Sequence, residues 1–443
     1  MKITEVLTTP LWVPYKQPFH WSLGVTHGAE VILVEVHTDE GIVGYGESIA
    51  APSADAVRAH LSLAADFCVG RSPFENARLI GEACNALFGR EESSKASTLA
   101  GKSLAGLEMA LWDAMGKAAG CTVHALLGGA VRDEVRYFGF PQGDSAGEIA
   151  SEAARLAASG HEVIFLEVGR GDDLDAEVVA RVRAAIGPDK RLRLDPNGRW
   201  HSVQATRMMR RLSQFDIEVV EQPIDAESVE ALARVRATSP VSIAADQGVI
   251  ALGEAFDLCR LPAADLLVVG LHETGGLLRF CKVAHIAEAA NIDVCIHGLH
   301  ETGITTVAAS HVAAVTPNLD DGNQYMNNFL AWDIVGQPNL ELQGGMLPVL
   351  NRPGLGFELN WDAIREAAEA WWKGADGGDR LAGGHGITFR PATWIDRRGV
   401  NGKAEGEDPA DPDAGDDGDP PEESASNDPP RSGDQGTGMS SPR

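Results

Sequence analysis

Arg191-Leu-Arg-Leu-Asp195, Ile217-Glu-Val-Val-Glu221 and Val241-Ser-Ile-Ala-Ala-Asp246 are three short, largely apolar runs, and each closes on a carboxylate. The acids stand 26 and 25 residues apart, about the length of one strand–helix unit. In a parallel β/α barrel, successive strand ends lie side by side on one rim, so Asp195, Glu221 and Asp246 would converge there. Three hard oxygen ligands with open positions suit Mg2+, which keeps waters or substrate oxygens in its shell.

The same period extends in both directions. Strands are expected at 135–139, 162–168, 191–195, 217–221, 241–246, 265–270, 292–297 and 317–320. Amphipathic helices fill the gaps, for example at 145–159, 174–186, 202–212 and 276–290. The strand ends Asp195, Glu221, Asp246, Gly270, His297 and Asp321 recur every 24 to 27 residues. Such alternation favours a closed parallel barrel. An open doubly wound sheet is the alternative, weakened because no G-x-G-x-x-G follows the first strand. Upstream, residues 1–50 alternate like antiparallel strands, and 54–120 carry helical periodicity with Leu104, Leu107, Leu111 and Ala114 on one face. The expected organisation is an N-terminal α+β domain over 1–128, a barrel over 129–345, a C-terminal segment over 346–375 and an acidic low-complexity tail over 376–443. Beyond Val400 the chain has almost no aliphatic residue and a net charge of −9, so it is expected to be disordered.

The 443 residues carry a formal net charge of −27, which argues against nucleic acid or an anionic membrane surface as partner. Six cysteines without a C-x-x-C read as reduced thiols. No segment reads as a signal peptide or a membrane span, so a cytoplasmic protein is expected.

Several segments together resemble a known family: Ala100-Gly-Lys-Ser-Leu with Ala110-Leu-Trp-Asp-Ala, Leu126-Leu-Gly-Gly, Asp195-Pro-Asn-Gly, Glu221-Gln-Pro, Ala245-Asp-Gln and Glu273-Thr-Gly-Gly. The resemblance is to the enolase superfamily, in its mandelate racemase / muconate lactonizing enzyme branch, and runs from about residue 1 to 375. It implies a (β/α)7β modified TIM barrel under an N-terminal α+β capping domain, with C-terminal residues returning to the cap. It further implies Mg2+ on Asp195, Glu221 and Asp246 with Asn197 close by, and abstraction of a proton α to a carboxylate through an enediolate. Helix N-capping would also place acids at strand–helix junctions, but it does not explain three in register with these motifs. The expected partner is a small-molecule carboxylic acid, and a homo-oligomer is expected because barrels of this branch associate through outer helices.

The departures concern the bases. Where many relatives carry Lys-x-Lys, this chain has Phe165 and Glu167; where they carry Lys or Asp at the end of the sixth strand, it has Gly270. His297 matches the histidine of racemase-type members, but the position of its usual aspartate partner is Gly270. The candidate acid/base groups are therefore His297, Glu167 and His272. Strand alternation would put His272 on the same side as Gly270 if the strand runs that far. A structural ion pair of Glu167 with Arg170 or Arg193 is the alternative to catalysis. His20 and His27, in a loop expected to close over substrate, together with His300 and Asp321, are candidates for substrate contact. One recognisable base fits a lyase that dehydrates a hydroxy- or sugar acid. A racemase or epimerase would need Glu167 or His272 as second partner, and cycloisomerisation ranks below both. A metal-containing barrel that binds without catalysis is the reading from another class.

Overall fold

The computed structural model describes residues 1–22, 24–89, 94–376 and 387–389. The N-terminal layer is built on a long antiparallel hairpin, Ile3–Trp21 with Gly24–Thr38, paired from Ile3↔Thr38 to Trp21↔Gly24. The expected loop around Phe19–His27 is thus regular strand up to the tip of this hairpin. A third strand, Val43–Ile49, joins Gly24–Thr38. Its Gly44 and Gly46 lie against the helix Ser94–Ala119, where a Cβ at either position would collide with the carbonyl oxygens of Ala110 and Gly106. Most of the expected acidic tail lies outside the described residues. Within it, and ahead of Val400, Ile387–Phe389 forms a strand antiparallel to Gly24–Thr26.

Six parallel strands follow in chain order: Val163–Glu167, Arg191–Asp195, Val219–Glu221, Ser242–Ala245, Leu266–Gly270 and Asp293–His297. Single bridges complete the circle. Gly139 pairs with Ile164 at one edge, Val294 with Leu319 at the other, and Tyr137 with Asn323 closes the ring. Alternation sends Val219, Ala244, Leu266, Val268 and Cys295 to one buried cluster inside the barrel. Apolar stripes on Ala146–Ala158, Asp172–Ile186 and Ser202–Leu212 pack outside it. The helix Trp361–Asp376 returns to the hairpin, where Trp371 Nε1 donates to Glu30 Oε1 at 2.8 Å. No helix among the described residues is long and apolar enough to cross a membrane.

Two capping-domain carboxylates finish barrel helices. Glu108 accepts from the backbone N–H groups of Leu277 (2.9 Å) and Leu278 (3.2 Å), at the start of helix Leu277–Ala289. Glu47 accepts from Thr302 N–H at 3.0 Å and from the hydroxyls of Thr302 and Thr305, at the start of helix Gly303–Val315. Both acids satisfy amides that a helix leaves unpaired at its N-terminus. The loops in front of these helices carry the residues described next.

Candidate active site

Glu167, Asp195 and Glu221 end the first three of the six strands, and Asp246 directly follows the fourth. Asp195, Glu221 and Asp246 are each only 4–6 % exposed. Asp195 Oδ1 accepts the Asn197 N–H at 2.6 Å, and Asn197 Nδ2 donates to Glu167 Oε2 at 2.7 Å. Asn197 reaches both because its backbone is left-handed, with φ 49°. Gln222 Oε1 holds the Asp246 N–H at 3.0 Å. Burial, and then the neighbouring carboxylates, push Asp195 and Glu221 far above the usual carboxylate range. Burial lifts Asp246 to about 6 despite His297, and lifts Glu167 to about 8 despite the Ser22 amide.

Lys102, Arg170 and His297 supply positive charge near these four acids, and Arg193 acts on Glu221 from below while paired with Glu218 and Asp320. Asp246 Oδ2 is buried without a hydrogen-bond partner. An all-oxygen, negatively unbalanced donor set of this kind fits a divalent cation, with Asp195, Glu221 and Asp246 as the side chains that could hold it. Among the described residues no group of three His, Cys, Asp or Glu side chains already stands close enough together to hold a metal ion. The donors are arrayed along the rim, and His297 stands beside Asp246.

His297 ends the sixth strand, and its Nδ1 lies 3.3 Å from Asp246 Oδ1 and 3.2 Å from Glu273 Oε1. Both distances permit ion pairing, although neither contact is aligned as a linear hydrogen bond. Such contacts are often loose before substrate binds. Burial would lower the His297 pKa, but Asp246, Glu273 and Glu221 outweigh it and hold the ring up at about 10; a divalent cation on Asp246 and Glu221 would withdraw two of those three charges and leave the ring able to take a proton. Burial would raise Glu273, and His297 with Lys102 brings it instead to about 2. Nε2 of His297 has no partner among the described residues.

The other histidines are committed elsewhere. The strand stops at Gly270 and the chain turns into the short helix Leu271–Thr274, so strand alternation does not reach His272. Its Nε2 instead meets Thr305 Oγ1 at 3.0 Å, and burial lowers its pKa to about 4. His300 fastens the hairpin: Nδ1 meets Tyr15 OH at 2.7 Å and Nε2 meets Thr26 Oγ1 at 3.3 Å. His20 turns its ring toward Asp144, at 3.6 Å. His27 is exposed while Thr26, its neighbour on the strand, is buried, so alternation delivers Thr26 to the site instead.

Asp321 is not at this rim. The eighth strand begins near Leu319 and continues through Asn323 to Gln324, whose Oε1 takes the Gly298 N–H at 3.2 Å. Asp321 lies at the opposite end, paired with Arg191 at 3.4 Å. The regular spacing matched this aspartate by coincidence. Arg193 likewise pairs with Glu218 and Asp320, at 2.7 Å each, and not with Glu167. Glu167 Oε2 is held by Asn197 and by the Ser22 N–H at 3.4 Å, which ties the hairpin tip to the rim. Phe165 stacks on Phe138 with ring centroids 4.3 Å apart and meets Phe140 edge-on, so an aromatic wall stands where a lysine was sought.

Two participants escape a reading by strand ends. Lys102 comes from the capping helix, and its only sequence signal is its place inside a family segment. Glu273 comes from the turn after a strand, and its signals are its place at the head of the family segment Glu273-Thr-Gly-Gly and the glycine three residues earlier.

The mandelate racemase / muconate lactonizing enzyme N-terminal domain model matches residues 3–128, and the enolase C-terminal domain-like model matches residues 148–363. The chain belongs to the enolase superfamily, in its mandelate racemase / muconate lactonizing enzyme branch. It is accordingly an enzyme of the isomerase-or-lyase range of that superfamily. Among relatives within the branch, D-galactarolactone cycloisomerase of Agrobacterium fabrum is 31% identical, over 83% of this chain and 98% of that protein. The N-succinyl-Arg/Lys racemase of Bacillus cereus superposes with a TM-score of 0.77 at 26% identity, covering 83% of this chain and 98% of its own. A dipeptide epimerase from Cytophaga hutchinsonii, in complex with Mg and a dipeptide, superposes with a TM-score of 0.77 at 25% identity over the same shares.

Proposed function

We propose that this enzyme removes the proton α to a substrate carboxylate with His297 as base and then expels an oxygen leaving group from the β-carbon. The fitting overall reaction is dehydration of a hydroxy- or sugar acid. The observation that carries the reading is the shortage of bases: His272 and His300 are committed, Phe165 and Gly270 replace two base positions, and His297 alone among the histidines adjoins the acid rim with Nε2 uncommitted. The α C–H bond breaks toward Nε2, its electron pair moves toward the carboxylate, and loss of the β-oxygen returns that pair as a double bond. The proton taken by His297 can leave with the hydroxyl as water, so one group serves both steps. Mg2+ held by Asp195, Glu221 and Asp246 would offset the charge that develops on the substrate carboxylate. Asn197 would keep Asp195 and Glu167 in register.

A racemase or epimerase is the second reading, and one observation favours it. Glu167 and His297 end the two outermost strands of the six-strand arc, so they flank the rim from opposite sides. Named racemase and epimerase relatives agree with that reading.

The test is a solvent-deuterium exchange screen with Mg2+ over hydroxy, sugar, lactone and amino acids, read by mass spectrometry. His297→Gln is expected to reduce exchange about 10²–10⁴-fold. Loss of water with exchange supports elimination, and exchange into both stereoisomers supports the second reading. Activity unchanged in His297→Gln would sink both, and a silent panel from folded, Mg2+-loaded protein would favour a binding protein.

A further inference from the structure

The end of the strand Leu266–Gly270 has a backbone but no side chain, and the space above it is not empty. A Cβ placed on Gly270 would overlap Glu273 Oε2 and stand 2.8 Å from Glu273 Cδ. The chain arranges this by stopping the strand at Gly270 and winding one turn, Leu271–Thr274. Thr274 Oγ1 donates back to Gly270 O at 2.7 Å, and Gly275, at φ 90°, ends the turn. Residue 273 is thereby folded back over the strand terminus.

The turn is pressed in place from above. Gly101 on the capping helix sits so close that a Cβ there would stand 2.7 Å from the carbonyl oxygen of His272. Glu273 Oε1 then lies 3.2 Å from His297 Nδ1, while Oε2 is buried with no partner of its own.

We propose that Glu273 is the positioning residue of His297, supplying from the turn the carboxylate that a side chain at position 270 would otherwise bring. This rests on His297 being the base. A carboxylate at Nδ1 fixes the ring's orientation and tautomer, leaves Nε2 aimed at the substrate, and stabilises the imidazolium formed when the proton arrives. Asp246, the other oxygen at Nδ1, is one of the acids assigned to the cation, so Glu273 is the partner not already engaged. Gly270 belongs to the device, because the two positions share one volume. Any side chain at 270 evicts the Glu273 carboxylate, and a carboxylate at 270 replaces it.

The test uses Mg2+-loaded protein labelled with 15N-histidine and needs no known substrate for its first readout. The probe is the Nδ1–H resonance of His297, assigned by its loss in His297→Gln. Glu273→Ala is expected to shift or broaden it, and Gly270→Ala is expected to do the same by displacing the Glu273 carboxylate while both partners keep their own residues. Glu273→Ala combined with Gly270→Asp should restore it. With a substrate from the exchange screen, kcat should fall about 10–100-fold in both single variants, KM should stay within about twofold, and the double variant should recover. Thermal melts alongside show that the variants are folded. If the His297 resonance is unchanged in Glu273→Ala and in Gly270→Ala, the proposal is overturned whatever the substrate. The same follows if the double variant shows no recovery. A responsive resonance with exchange that survives His297→Gln would uphold the pair and sink the base assignment.

Discussion

Arg193 shows what a single inward side chain does one layer below the acid rim. It is 3 % exposed and spans Glu218 Oε2 and Asp320 Oδ1, at 2.7 Å each. Arg193→Ala would take from Glu218 and Asp320 the buried one of their two shared counter-charges and leave them Arg191. The expected loss is about 3 kcal/mol, the low end for breaking a buried pair, because Glu218 is also reached by Arg191. Urea unfolding of variant against wild type checks it, and a loss below about 1 kcal/mol would show that water already compensates these acids. At this scale the sequence is informative wherever side-chain direction follows strand alternation. Asp195 and Glu221 are the last residues of their strands and Asp246 follows directly, so an apolar run closing on an acid was enough to find them. Glu273 was not legible in that way. Its position depends on a helical turn folding back over an absent side chain, and neither hydrophobic period nor residue spacing encodes that overlap. Asp321 fails for the converse reason: it fits the spacing but sits at the start of its strand's visible run, beside Arg191.

Among the elements, the barrel helices were legible nearly to their ends from their apolar period, and Ser145 adds a plain start signal by forming a capping box with Glu148. The hairpin was legible only toward its base, since residues 8–22 and 24–29 mix prolines, glycines and aromatics and are held extended by pairing to each other and by His300. The helix Gly303–Val315 illustrates how one element can set acid sensitivity. Its His311 donates from Nε2 to Leu355 O at 2.9 Å, and Nδ1 accepts the His124 N–H at 3.2 Å, an arrangement open only to the neutral ring. Burial pushes His311 down to about 4. The unfolded chain takes up this proton near pH 6.5 and the folded chain does not until about pH 4. The contribution to stability is therefore complete above pH 6.5 and is lost as pH falls toward 4, at up to about 1.4 kcal/mol per pH unit. Melting curves of wild type and His311→Gln across that window should diverge in slope, the variant being flatter. Parallel slopes would mean that the ring is protonated in the fold.

For the molecule as a whole, closure of the barrel followed from the period of its strands, whereas the seating of the capping domain did not, because it depends on glycine contacts and buried acids that have no periodic signature. The unbalanced acids on the rim lead to a prediction for the entire fold. Mg2+ should stabilise the protein by about 2.7 kcal/mol at a hundredfold excess over its Kd. Asp195→Asn should remove most of that gain, as read by denaturation with and without the ion. Equal stabilisation of the variant would place the cation elsewhere. The two capping-domain acids that complete barrel helices have a different consequence. Glu108 and Glu47 hold the helix starts just behind the turn that carries Glu273 and the loop that follows His297. A barrel grafted beneath a foreign N-terminal half would lose both, and with them the footing of its own chemistry. Any replacement cap would have to bring carboxylates to those same two helix starts before the barrel could hold its own residues in place.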